Sequence, residues 1–146
     1  MGINYTRVVT GGLAAGVVLN VVDFIVNNWL LKATYEREFT ALNAGLAKNM
    51  ESVNTMIAFI VCDFITGFLL VWLYAAIRPR FGPGGRTSLY SAILIWLVQG
   101  VVFASLCALG MFSWNFFFVG AVATFVSLVL GAYAGGMVYS EAPAPA

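Results

Sequence analysis

Two aspartates are the side chains of this sequence best placed to do chemistry. Asp23 and Asp63 each stand alone inside a long apolar run, where a charged carboxylate at a bilayer centre costs roughly 2.5 to 3.5 kcal/mol. No Lys, Arg or His lies in either run to neutralise them. At ~5 Å and an effective dielectric near 20, two anions repel by about 3 kcal/mol, so a shared proton is the expected state. Such a pair suits a proton relay or a cation-coupled substrate site. Alternatively, protonated and bonded to Asn20, Asn27 and Thr66, the same carboxyls are interhelical glue, worth roughly 0.6 to 2 kcal/mol per contact.

The elements that must hold these groups follow from composition. Of 146 residues, 62% are hydrophobic and 9% charged, and the mean hydropathy of +0.94 excludes a soluble globular domain. Thr87 to Ser140 carries no charged side chain and is more than twice the ~20 residues a spanning helix needs, so it folds back on itself. Spans are expected at Val8–Leu31, Ser52–Ile77, Ser88–Met111 and Phe116–Tyr139. Residues 1–146 thus form a single transmembrane domain of all-α class, a four-helix bundle. The first apolar run is as long as a full span and has no small-x-small cleavage site, which argues against a secretory signal.

Between the first two spans, Tyr35, Phe39, Leu42, Leu46 and Met50 recur at helical spacing among Lys32, Glu36, Arg37, Glu38, Lys48 and Glu51. This pattern predicts an amphipathic extramembrane helix that lies flat on the membrane or caps the bundle. RPRFGPGGR, Arg78 to Arg86, reads as a tight basic turn whose prolines and glycines stop the second span. Its Arg78, Arg80 and Arg86 are expected at lipid headgroups. Ser113 and Asn115 are candidate N-caps for the fourth span, and the closing EAPAPA reads as a solvated end.

Helical geometry then groups the small and polar residues. Gly12, Gly16, Asn20, Asp23 and Asn27 fall within an arc of roughly 80° on the first span. Gly120, Thr124, Ser127, Gly131 and Gly135 form a second packing face on the fourth, because small residues let membrane helices approach closely. On antiparallel helices Asp23 and Asp63 lie ~12 and ~16 Å from one face, nearly one depth. Thr66, Gly67 and Tyr74 share a helix face with Asp63. Trp96 is deep enough to belong to the core.

Several function classes drop out. A net charge of +1 gives no basic surface for nucleic acid. With no histidine and with Cys62 and Cys107 inside apolar runs, where thiols behave as small buried hydrophobes, no haem or metal cofactor is expected.

LVWLYAAIRPRFGPGGRT, Leu70 to Thr87, together with a GLxAGxxxN opening at Gly12 to Asn20 followed by Asp23, resembles a family of small four-span bacterial inner-membrane proteins of no established activity. The resemblance covers the first two spans and the turn after them. It implies a bacterial inner-membrane location and carries over no role. Small multidrug transporters share the size, the four spans and a first-span carboxylate but not the motifs, which is analogy alone.

The leading functional expectation is a non-enzymatic scaffold or accessory subunit, packed through its glycine faces into a homo-oligomer or larger membrane complex. The alternative is a small proton-coupled transporter or channel using Asp23 and Asp63. Arg7, Arg78, Arg80 and Arg86 on one side, against Lys32, Arg37 and Lys48 on the other, favour cytoplasmic termini.

Overall fold

The structure is a computed structural model and describes residues 2–141. Among them the chain forms α1 (Tyr5–Ile25), a π-helical turn (Val26–Leu30), α2 (Lys32–Leu42), α3 (Ala44–Met50), α4 (Val53–Phe81), α5 (Gly85–Ala108) and α6 (Trp114–Val138). α1 with its π-helical turn, α4, α5 and α6 are each long and apolar enough to cross a membrane. The chain is an all-α, multi-pass membrane protein. The expected end EAPAPA lies, past Glu141, outside the described residues.

Side-chain caps set where the helices begin. Asn4 accepts from the Arg7 N–H, Ser52 from Thr55 and Ser113 from Phe116, each satisfying a donor that the first helical turn leaves free. Asn115 lies inside α6 and is not its cap. The basic turn is shorter than expected, because α4 continues through Pro79 to Phe81. Proline near a helix end removes one N–H but keeps a helical φ, so it does not end the helix by itself. Gly82 does, at φ +83°, where its N–H reaches back to the Arg78 carbonyl at 2.8 Å.

The expected amphipathic helix is in fact two. Asn43 is extended, and its side chain accepts the Gly45 N–H at 2.7 Å, a local bond that competes with helix continuation. α2 caps the bundle. Its Glu38, buried although α2's other charged residues are exposed, accepts the Ser113 N–H at 3.0 Å and the Ser113 hydroxyl at 2.8 Å. Tyr35 and Phe39 add edge-on packing against Phe116.

In the bundle, α1 packs between α4 and α6, and α5 between α6 and α4. Small residues make the α1 contacts possible. A Cβ on Gly67 would lie 2.6 Å from both the Gly12 carbonyl and the Gly16 nitrogen, and Gly12 and Gly16 lie directly under Phe68 and Phe64. On the other side of α1, Gly11 meets Gly135, while Gly131 lies under Leu19. Two buried clusters result, one around Ala15, Val71 and Tyr74, the other around Leu19, Leu70 and Leu128.

Candidate functional site

α1 and α4 are tightest at Gly12, Gly16 and Gly67 and part toward the α2–α3 end. Asn20 spans the widening gap. Its Nδ2 donates to the Gly16 carbonyl at 2.8 Å within its own helix and to the Ile60 carbonyl of α4 at 3.4 Å. Beyond it lies a cavity of about 660 Å³. Asn20, Asp23 and Asn27 line it from α1 and the π-helical turn, and Asp63 lines it from α4. Tyr35 and Met50 line it from α2 and α3.

The cavity brings the two aspartates together. Asp23 and Asp63 are both half-buried, with their carboxyls within hydrogen-bonding reach of one another. From α6, Ser127 turns its hydroxyl toward Asp23. This side chain is 1% exposed, and its Oγ closes no hydrogen bond of good geometry. The inner end of the cavity therefore holds two adjacent acids, with the buried Ser127 hydroxyl behind Asp23.

The α2 side chains add two features. Burial, and then the Asp23 charge, hold the Tyr35 phenol above its ordinary value of 10.0, so it stays a neutral O–H donor. At the mouth, Lys32 and Glu36 pair at 3.7 Å with both side chains more than half exposed, a contact too solvated to hold the entrance shut.

The remaining candidate residues are distributed elsewhere. Thr66 is half-buried and does not line the cavity. Tyr74 shares a helix face with Asp63 but lies three turns away, where its hydroxyl accepts the Gly84 N–H at 3.1 Å. The α6 stripe divides in use. Gly131 and Gly135 pack against α1, Ser127 meets Asp23, and Gly120 and Thr124 line a second, aromatic cavity of about 290 Å³. A Cβ on Gly120 would meet only Phe103, at 3.7 Å, so this glycine is not a point of close approach. Trp96 is half-buried, and its Nε1 donates to the Ala121 carbonyl at 2.8 Å.

Two cysteines and three arginines behave less uniformly than their runs suggest. Cys107 is buried, but Cys62 faces outward, as α4 has an outer face for lipid. Arg80 and Arg86 are exposed. Arg78 instead turns inward. It lies 3.7 Å from Glu141, between the rings of Tyr74 and Tyr139 at 6.0 and 5.5 Å, which supply cation–π attraction in place of headgroups.

Ser127, Tyr35, Met50 and the π-helical turn were not legible as parts of this site. Serine in a glycine-rich stripe reads as a small packing residue, and the α2–α3 positions read as amphipathic surface. Among the described residues, no three of His, Cys, Asp and Glu gather as a metal site. No family model, curated protein or solved structure matches the chain.

Proposed function

We propose that the protein is a small proton-coupled transporter or channel of the bacterial inner membrane, working through the Asp23–Asp63 pair and without enzymatic activity. The observation that carries this reading is a cavity of about 660 Å³ that ends on two adjacent carboxyls. Ionisable groups within spans usually mark ion or proton pathways, and a cavity reaching them supplies the access that interhelical glue does not need. One carboxyl takes up the proton that the other gives away, with Tyr35, Lys32, Glu36 and Glu51 as the other titratable groups lining the cavity.

The scaffold or accessory-subunit reading draws on the glycine faces, and most of those glycines are engaged within the chain. Gly12 and Gly16 lie against α4, and Gly131 and Gly135 against α1 and α4, so these faces are taken up within the chain.

Proton flux into liposomes separates the two. The reconstituted chain should collapse an imposed pH gradient faster than empty vesicles do, and Asp23→Asn and Asp63→Asn should each bring it back to the empty-vesicle rate. A scaffold tolerates both exchanges. Flux equal to empty vesicles, or flux that both variants leave untouched, rejects the transport reading.

A further inference from the structure

Resting on the transport reading above, we infer that the cavity between α1 and α4 binds an amphipathic organic monocation, its charged head at Asp23 and Asp63 and its apolar body against Phe24 and Phe59. Four carboxyls line the cavity, Asp23, Glu36, Glu51 and Asp63, against the single ammonium of Lys32. That ammonium is already paired with Glu36. The net field therefore selects positive charge, and a low-dielectric wall strengthens the selection.

The walls select shape. A volume of about 660 Å³ lies within the ~300 to 1,000 Å³ usual for small-molecule sites, which combine apolar walls with a few convergent polar groups. Phe24 and Phe59 are 58% and 56% exposed, and Met56 and Ile60 continue the same apolar lining. These side chains lie on the outer surface of two spanning helices, so the cavity is open sideways to acyl chains as well as outward under α2. A ligand with an apolar body reaches it from the bilayer, and a hydrated inorganic ion gains nothing from these rings. Aromatic faces also attract organic cations directly.

Behind the pair, α6 backs Asp23. Ser127 is 1% exposed and turned toward Asp23 without closing a bond of good geometry, so a dry, packed wall stands behind the carboxyls and a cation reaches them from the cavity side alone. The exchange balances in charge: the pair begins with one shared proton, the monocation takes its place, and the proton leaves to cavity water.

Benzyltrimethylammonium and its uncharged isostere neopentylbenzene, titrated into the full chain in lipid nanodiscs, test this. The cation should bind at least about tenfold tighter than the isostere. Its affinity should rise as pH goes from 6 to 8, with up to one proton released per cation. Asp63→Asn and Asp23→Asn should each weaken it by about tenfold or more. Equal binding of cation and isostere by the wild type overturns the inference without recourse to any variant, as does unchanged cation affinity in both variants. Sodium binding as tightly as the organic cation also overturns it. If proton flux depends on both aspartates while cation and isostere bind alike, the transport reading stands and this assignment alone falls.

Discussion

Gly67 and Gly100 are both helical glycines, yet only one of them is there for lack of room. A methyl at Gly67 meets backbone atoms of Gly12 and Gly16 that cannot move aside, whereas Gly100 has open space around it. Gly67→Ala should destabilise the chain in detergent by about 1 to 3 kcal/mol, the usual effect of overpacking. Gly100→Ala should be neutral or stabilise by up to ~1 kcal/mol through helix propensity. Thermal unfolding of the two variants side by side checks this. Ser127→Ala is a different kind of change: removing an unpartnered buried hydroxyl should raise stability slightly. At this scale the sequence is most readable where a residue is out of place. Asp23 and Asp63 stand out because carboxyls are rare in apolar runs, but Ser127 does not, since serine suits a packing stripe equally well.

α2 is held on the bundle by one buried carboxylate. The Ser113 N–H, followed by the Ser113 hydroxyl and Arg37, holds Glu38 below its ordinary value of 4.5 against the opposing effect of burial. Because the folded value is the lower one, this stabilisation is complete above pH ~4.5 and is lost only as pH falls through the folded value. α2 should therefore remain docked at pH 7 and pH 5 and release only in stronger acid. Glu38→Gln should speed hydrogen exchange at the Ser113 amide by about tenfold at pH 7, as a bond to a charged acceptor becomes a neutral one. Equal exchange in wild type and variant would show that aromatic packing alone holds the helix. The spacing of Tyr35, Phe39, Leu42, Leu46 and Met50 made an amphipathic element legible. It did not reveal the break, because the period runs on unbroken across Asn43 and only a side-chain bond to Gly45 stops the helix.

For the molecule as a whole, Arg7, Arg80 and Arg86 lie exposed at the end where α1 begins and α6 finishes, while Arg78 is turned inward. Their side of the bundle should be cytoplasmic, with the cavity mouth and α2–α3 on the opposite side. Reporter fusions at Lys48 and after Glu141 should give opposite signals, and equal signals from both sides would mean insertion in two orientations. The four spans and their order could be read from hydropathy because lipid requires long, uninterrupted apolar helices. Which helices touch could not, since small residues announce close contact without naming the partner. One feature of the first span is invisible to any helical wheel. At Val26–Leu30 the Leu31 N–H bonds back five residues to the Val26 carbonyl at 2.8 Å, which fits one extra residue into the last turn before the chain bends at Leu31, φ −115°. The shape of the cavity thus depends on chain length as well as on side-chain identity. Deleting the exposed Leu30 leaves an ordinary turn one residue short of the bend, which should re-aim α2 and draw Lys32 and Tyr35 off the cavity, so a variant with every lining residue intact should lose the site through arithmetic alone.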